Sequence, residues 1–242
     1  MVQHYFSPKE MEKNLAGRGY SSAEGAWVTG QKIIFGEIHM PAGTHADAHS
    51  HPNEQFGYCV RGSSRMNIEG EEWVVSPGDI AYRPPNAVHS STIGPEEYVF
   101  IVAKDTSHGI QGKKVSEAPP AERAKKAKYF YRTAEMREGM AGESYSSARG
   151  AWVTGERIIF GKIMMPKGTG AEPHTHPNEQ FVYVMQGRCR MDVEGDAREC
   201  GPGDIIHIPA NAVHSARIIG GEDYVFITAK DTAWGIEGKR VG

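Results

Sequence analysis

Short runs of apolar, aromatic and β-branched residues recur along the chain, and glycine or proline separates most of them. Runs of this composition and spacing are typical of strands in an all-β sandwich or barrel. The Ser7-Pro8 pair before a charged stretch predicts one short helix, because proline is favoured at the first helical position. In the first half the pattern predicts strands over residues 26–29, 32–40, 55–61, 65–69, 73–75, 80–83 and 98–103.

The second half of the chain repeats the first. Residues 20–30 return almost unchanged as 145–155, residues 33–36 return as 158–161, and residues 98–100 return as 224–226 after one insertion. A repeat this long indicates a duplicated domain, and each copy falls within the usual domain size of about 50–250 residues. We therefore predict two domains, 1–115 and 129–242, joined by a linker over 116–128. Tyr5-Phe6 and Phe130-Tyr131 match at the same offset and are interpreted as strands that cross between the two halves.

Charge and composition exclude several classes of protein. A formal net charge of −3 provides no basic face for nucleic acid, and the basic residues at 123–128 are interpreted as a solvated linker. No stretch approaches the ~20 apolar residues of a membrane span, and the first 14 residues lack an apolar signal core. We expect a cytoplasmic protein without nucleic-acid or membrane partners. Three cysteines at positions that do not repeat predict buried thiols rather than disulfides.

Each half carries a His-x-His pair followed by a third histidine. The pairs are His49/His51 and His174/His176, and the third histidines are His89 and His214. Residues i and i+2 of a strand project from the same face, so both rings of a pair can reach one ion. Imidazole ligands without thiolates suit divalent first-row metals. The sequence therefore predicts two metal sites in one chain.

These motifs resemble those of the cupin superfamily, in the two-domain form called a bicupin. The first motif, Gly-x5-His-x-His-x3-acid-x6-Gly, is matched by Gly43, His49, His51, Gln55 and Gly62, and again by Gly168, His174, His176, Gln180 and Gly187. The second motif is matched by residues 77–79, Pro84 and His89, and by residues 202–204, Pro209 and His214. The resemblance implies two double-stranded β-helix (jelly-roll) barrels in tandem, each with a metal inside.

Glutamine replaces the ligand glutamate of many cupins in both halves. Glu54 and Glu179 lie one residue earlier, where a strand turns a side chain to the other face. The resemblance implies one divalent ion per half, two per chain, with Fe, Mn, Ni, Zn, Co and Cu all compatible. Such a site lacks a ligand that could double as a general base and should act as a Lewis acid. The implied ligand sets are His49, His51, Gln55 and His89, and His174, His176, Gln180 and His214.

Two groups of cupins with this His-His-Gln-His set carry out proton transfer: bicupin isomerases of the bacilysin pathway and small cupins that tautomerise unsaturated uronates. By analogy we expect a metal-dependent enzyme that isomerises or tautomerises a small keto, keto-acid or sugar-acid-like substrate. The alternatives are a non-haem dioxygenase of a dicarbonyl or phenolic compound, a non-catalytic metabolite-binding bicupin, and a cupin that has lost its metal. The expected oligomeric state is a monomer or a homodimer.

Several further residues are candidates for chemistry. Tyr58, Tyr82, Tyr183 and His207 could act as acid or base, since such groups transfer protons when their pKa is suitably tuned. Ordinary barrel packing is the alternative for each. Arg65 and Arg190 could clamp a substrate carboxylate, or could be exposed strand charges.

Overall fold

Strands make up nearly all the regular structure of the computed structural model, which describes residues 3–116 and 124–241. The helices in this part of the chain are two 3-10 turns, Pro8–Glu10 and Thr133–Glu135, and the first lies where Ser7-Pro8 predicts it. The first thirteen strands are β1 Tyr5–Phe6, β2 Lys13–Leu15, β3 Glu24–Thr29, β4 Ile33–Met40, β5 His45–Ser50, β6 Gln55–Arg61, β7 Ser64–Ile68, β8 Glu71–Val75, β9 Asp79–Arg83, β10 His89–Ile93, β11 Tyr98–Asp105, β12 Lys113–Lys114 and β13 Phe130–Arg132.

The remaining strands repeat this series. They are β14 Gly139–Met140, β15 Arg149–Thr154, β16 Ile158–Met165, β17 Gly170–Thr175, β18 Gln180–Gln186, β19 Arg188–Val193, β20 Asp196–Cys200, β21 Ile205–Ile208, β22 His214–Ile219, β23 Tyr224–Asp231 and β24 Lys239–Arg240. The prediction of an all-β protein with two jelly-roll barrels is confirmed.

The contacts divide the chain into two units. The N-terminal unit comprises Lys9–Thr29 and Ile34–Glu135, and the C-terminal unit comprises the residues up to Pro8, Gly30–Ile33 and everything from Met136 onward. Short segments therefore belong to the unit opposite to their place in the sequence. The linear boundaries at 115 and 129 stay a prediction, and residues 117–123 of the predicted linker lie outside the described part.

Each unit contains a seven-stranded and a five-stranded antiparallel sheet among the described residues. In the N-terminal unit the orders are β13-β9-β6-β11-β4-β3-β2 and β12-β5-β10-β7-β8. In the C-terminal unit the orders are β1-β21-β18-β23-β16-β15-β14 and β20-β19-β22-β17-β24. One hydrophobic core in each unit includes residues of both sheets, such as Cys59 and Ile68 in the first and Val184 and Val193 in the second.

Two strands that carry histidines have no counterpart among the sequence-predicted strands. β5 and β10 contain few apolar residues, and each mixes buried positions with partly or fully exposed ones. By contrast, all eight residues of β11 are buried, and the first six form a continuous apolar run. Hydrophobic pattern detects the second kind of strand and misses the first.

Both crossing strands are confirmed by their pairing. β1 pairs with β21, with Tyr5 opposite Ile206, and β13 pairs with β9, with Phe130 opposite Ala81. Tyr5 is buried, and its hydroxyl donates to the carbonyl oxygens of Met191 (3.0 Å) and Asp196 (2.7 Å). The N-terminal segment therefore completes a sheet of the C-terminal unit.

The glycine after β6 is required by a close backbone approach. Gly62 has a positive φ of 72°, and a Cβ built on it would lie 2.3 Å from the carbonyl oxygen of Glu97. Gly187 repeats both features in the second half, with a φ of 74° and the carbonyl oxygen of Asp223 at 2.4 Å. The last glycine of the first cupin-like motif is therefore a turn residue, and not part of the site.

We expect Tyr5→Ala to lower the free energy of unfolding by about 3 kcal/mol, because it empties a buried aromatic site. Tyr5→Phe should cost about 1–2 kcal/mol, since it removes only the hydroxyl donor. Denaturant titration measures both values, with Phe6→Ala, at a half-buried position of the same strand, as the control. Equal losses for Tyr5→Ala and Phe6→Ala would contradict the importance of this packing.

Candidate metal centre

Three histidines of the N-terminal unit meet inside the barrel. His49 in β5 lies directly opposite His89 in β10, and their ring centroids are 4.1 Å apart. His51 follows β5, and its ring lies 5.1 Å from that of His89. Gln55, the first residue of β6, lines the same cavity. The structure therefore brings the four predicted ligands of this half together.

The C-terminal unit repeats this arrangement. His174 is opposite His214, with ring centroids 4.0 Å apart, and His176 lies 4.8 Å from His214. His174, His214 and Gln180 line a second cavity. We call the two spaces the N-terminal cavity and the C-terminal cavity.

Loop hydrogen bonds hold the strand ends that carry the histidines. Asn86 adopts a left-handed φ of 64°, which asparagine tolerates well, and its N–H donates to the carbonyl of His51 at 2.9 Å. The side chain of Asn53 donates to the carbonyls of Asp105 and His108. Asn211 and Asn178 play the same parts in the second half. The two motifs are thus tied to each other in each barrel.

Every histidine of the two sites has its Nδ1 against a backbone carbonyl. The partners are Asp47, Asn53 and Ala87 for His49, His51 and His89, and Glu172, Asn178 and Ala212 for His174, His176 and His214, at 2.7–3.0 Å. A carbonyl oxygen only accepts, so the proton of each neutral ring sits on Nδ1 and leaves the Nε2 lone pair free. Metal-bound histidines use this tautomer, with the second nitrogen donating to such a partner.

Burial keeps these imidazoles neutral. Desolvation lowers the pKa of His49 and of His174 to about 4 and that of His176 to about 3. The pKa values of His51, His89 and His214 are lowered for the same reason. All six rings can therefore act as neutral nitrogen donors near pH 7.

In the C-terminal cavity, two hydrogen-bond acceptors face each other at close range. Gln180 donates its amide N–H to Thr228 Oγ1 (3.0 Å), and that hydroxyl donates to the carbonyl of Phe181, so the amide oxygen is the atom that faces His176. It lies 2.9 Å from His176 Nε2, which is a bare lone pair in the tautomer fixed by Asn178. Two acceptors at this distance repel unless a cation is shared between them.

In the N-terminal cavity, His51 Nε2 is buried without a hydrogen-bond partner among the described residues. An orphaned ring nitrogen in a cavity that a glutamine also lines fits the donor set of a divalent ion. In residues 3–116 and 124–241, no three His, Cys, Asp or Glu side chains already lie close enough together to hold an ion. The fit therefore rests on the tautomers and the glutamine amides, and the rings would have to close further around an ion.

The neighbouring glutamates point away from the histidines, as the one-residue offset predicts. Glu54 accepts a hydrogen bond from the Tyr82 hydroxyl at 2.7 Å. Glu179 accepts from the backbone N–H groups of residues 31–33, and His207 Nε2 lies 2.8 Å from its carboxylate. Neither glutamate lines a cavity, whereas Gln55 and Gln180 do.

The four candidate acid–base residues also lie away from the cavities, and this placement corrects the expectation from sequence. Successive strand residues alternate faces, so Tyr58 and Tyr183 project opposite to Gln55 and Gln180, each three positions earlier on its strand. Tyr82 and His207 are engaged with the glutamates described above. All four are buried, and none lines the cavity that holds the histidines. The packing interpretation therefore accounts for their positions.

A lysine that the sequence analysis overlooked lines each cavity. Lys104 and Lys230 are buried, and their ammonium groups donate to the carbonyls of Ile110 (3.0 Å) and Ile236 (2.8 Å). Desolvation lowers the pKa of each lysine to about 7. The available signal was a lysine repeated at the end of an otherwise apolar strand, in Val-Ala-Lys-Asp and Thr-Ala-Lys-Asp.

The arginines singled out from the sequence are exposed strand residues. Arg65 and Arg190 lie on the outer sides of β7 and β19, and neither lines a cavity. The N-terminal cavity is instead lined by Arg83, the last residue of β9. Its counterpart in the C-terminal cavity is Ile208. The two cavities thus have equivalent histidines but differ in charge.

None of the helices in the described part of the chain is long and apolar enough to cross a membrane.

Comparison with curated proteins gives three relatives. Oxalate decarboxylase of Bacillus subtilis is 23% identical over 249 aligned positions, covering 78% of this chain and 65% of that protein. Quercetin 2,3-dioxygenase of Bacillus subtilis is 37% identical over 54 residues, 22% of this chain and 16% of that protein. The Streptomyces cyaneus polyketide synthase CurC is 32% identical over 66 residues, 27% of this chain and 43% of that protein. In each case less than two thirds of the relative is covered.

Solved structures of Bacillus subtilis oxalate decarboxylase share the fold. One, determined at pH 4.6, superposes with a TM-score of 0.71 over 95% of this chain and 76% of that chain, at 18% identity. Another, from a study of its Mn(II) centres, gives a TM-score of 0.72 over 97% and 79%, also at 18% identity. The profile of the cupin domain family matches residues 36–103 and again residues 161–230. The chain therefore belongs to the cupin domain family and carries two cupin domains.

Proposed function

We propose that this bicupin is a metal-dependent enzyme that isomerises or tautomerises a small keto acid or a related sugar acid. Its metal ligands would be His49, His51, Gln55 and His89 in one barrel, and His174, His176, Gln180 and His214 in the other. The observation that carries the proposal is the opposition of His176 Nε2 and the Gln180 amide oxygen at 2.9 Å, two acceptors that call for a cation. The Mn(II) centres of the structurally similar oxalate decarboxylase support a divalent ion of this kind.

The neutral donor set favours proton transfer chemistry. Three imidazoles and an amide leave the full +2 charge of an ion, which supplies Lewis acidity toward a carbonyl oxygen. No ligand of this set can double as a base, so a proton must be held elsewhere in the cavity. Lys104 and Lys230 are the buried groups in place for that task, because each lines its cavity and is held by a single backbone carbonyl.

Apolar side chains form much of the wall of each cavity. In the C-terminal cavity Ile163, Met165 and Phe226 line the space around the polar groups. Tyr145 packs on His174 with ring centroids 4.3 Å apart, as Tyr20 packs on His49 at 4.5 Å. A mostly apolar pocket with a few convergent polar groups is the usual form of a small-molecule site.

An oxygen-using reaction is the second candidate. It is favoured by the local similarity to quercetin 2,3-dioxygenase, an enzyme named for an oxygen-using reaction. The same ligands could hold a redox-active ion, and then the reaction would consume oxygen.

Elemental analysis should find close to two divalent ions per chain in protein purified without chelators. We expect His49→Ala/His51→Ala to lower this number to about one, and His174→Ala/His176→Ala to do the same, because each removes two ligands of one site. His39→Ala/His45→Ala is the matched control, since both residues lie outside the cavity lining. Less than one ion in total after reloading would rule out the two-site proposal.

Enolisation can be followed without knowing the natural substrate. In deuterated buffer, the metal-loaded protein should exchange the C3 protons of pyruvate or 2-oxobutyrate, as seen by NMR. Lys104→Met/Lys230→Met should slow exchange by about 10²–10⁴-fold, the typical contribution of general acid–base catalysis, with unchanged metal content. Oxygen uptake with dicarbonyl or phenolic compounds, and no exchange with any keto acid, would support the oxygenase instead.

A further inference from the structure

The guanidinium of Arg83 is buried in the N-terminal cavity with most of its hydrogen-bonding capacity unused. The residue is 5% exposed, and neither its Nε nor its Nη1 has a hydrogen-bond partner among the described residues. Its Nη2 contacts the Met66 sulfur at 3.2 Å, which is a weak acceptor. A guanidinium presents five donors, so this one is far from satisfied.

Burying the Arg83 charge with so few hydrogen bonds costs free energy. Removing an ion from water costs several kcal/mol unless a partner compensates it. The side chains that line this cavity in the described part of the chain include no carboxylate, and Lys104 adds a second basic group. An anion that enters from outside is the missing partner that this charge distribution calls for.

The position of Arg83 relates it to the proposed metal ligands. Arg83 is the cross-strand partner of Gln55 in β6, so the two side chains leave the same face of the sheet as neighbours. Gly57, two residues along the same strand, leaves room for the guanidinium: a Cβ built there would lie 3.5 Å from Arg83 Nη1. The charge therefore lies in the same cavity as His49, His51 and His89.

The second barrel lacks this arrangement at both positions. The partner of Gln180 is Ile208, and Val182 occupies the place of Gly57. The C-terminal cavity is correspondingly apolar at the point where the N-terminal cavity is cationic. Repeated histidines together with a paired change of Gly57/Arg83 to Val182/Ile208 indicate two sites that accept different ligands.

We propose that the N-terminal cavity is a carboxylate site in which the Arg83 guanidinium binds the carboxylate of a small substrate, and that the C-terminal cavity does not share this specificity. The proposal rests on the proposed function only in treating the cavity as a substrate site. Arginine binds a planar carboxylate through parallel N–H donors, which a lysine cannot reproduce. With its carboxylate bound to Arg83, a 2-oxo acid would direct its keto oxygen toward the histidines.

Isothermal titration with oxamate and oxamide tests this assignment, because the two probes have nearly the same shape and only oxamate carries a charge. The metal-loaded protein should bind oxamate more tightly than oxamide. Arg83→Met should weaken oxamate binding by about 10- to 100-fold and leave oxamide binding within twofold, since a hydrogen bond to a charged group is worth about 1.5–3 kcal/mol. Ile208→Met at the equivalent position, and Arg65→Met on the exposed face of the same unit, should change neither affinity.

Metal content measured on the same samples separates this proposal from the metal proposal. Loss of oxamate binding in Arg83→Met at unchanged metal content supports the carboxylate site, whether or not the protein exchanges keto-acid protons. Arg83→Lys keeps the buried charge and serves if Arg83→Met fails to fold; we expect about tenfold weaker oxamate binding, because the fork is lost. The assignment is overturned by unchanged oxamate binding in either variant, by equal affinity of the native protein for both probes, by no binding of oxamate, or by an equal loss in Ile208→Met.

Discussion

The hydrogen bond from each imidazole Nδ1–H to a backbone carbonyl is the constraint on which both sites depend. It fixes the tautomer, and with it the direction in which the Nε2 lone pair can act. The carbonyls belong to residues two positions from each histidine, so the same strand and loop geometry that positions the ring also chooses its proton. The direction in which each ring can offer its lone pair therefore follows from backbone structure as much as from the histidines themselves.

The residues proposed as metal ligands can be chosen from the sequence because the spacing between near neighbours identifies them. Spacing along a strand selects Gln55 over Glu54, and the structure places Gln55 at the cavity and Glu54 against Tyr82 on the other face. The same rule of alternation, applied to Tyr58 and Tyr183, would have placed them away from Gln55 and Gln180. The crossing strands were also predictable, since Tyr5 and Phe130 are apolar residues matched at the offset of the repeat.

Other features depend on contacts that no local pattern records. The strands β5 and β10 carry few apolar residues, so their sheet positions follow from pairing partners rather than from hydrophobicity. Lys104 and Arg83 face the cavity because β11 and β9 flank β6 in the sheet. The substitution of Ile208 for Arg83 is visible in the aligned halves, but its meaning requires knowing that both residues lie opposite the glutamine.

Since the duplication, one part of each barrel has stayed the same and another part has changed. The ring geometry is nearly identical, with His49–His89 and His174–His214 centroids at 4.1 and 4.0 Å. Around it, Val102 and Thr228 differ beside the glutamines, so only Gln180 has a hydroxyl partner that orients its amide. The scaffold for an ion is therefore shared, while the groups that would meet a substrate are not.

The pairing of β1 with a strand of the C-terminal unit also sets the order in which the two units can fold. Every segment of the N-terminal unit has left the ribosome once residue 135 has emerged, so that unit can fold while the rest of the chain is being made. The C-terminal unit needs Tyr5 and Phe6 for its sheet, and both residues precede the whole N-terminal unit along the chain. These two residues therefore stay without their strand partner until β21 has been made, about two hundred residues later.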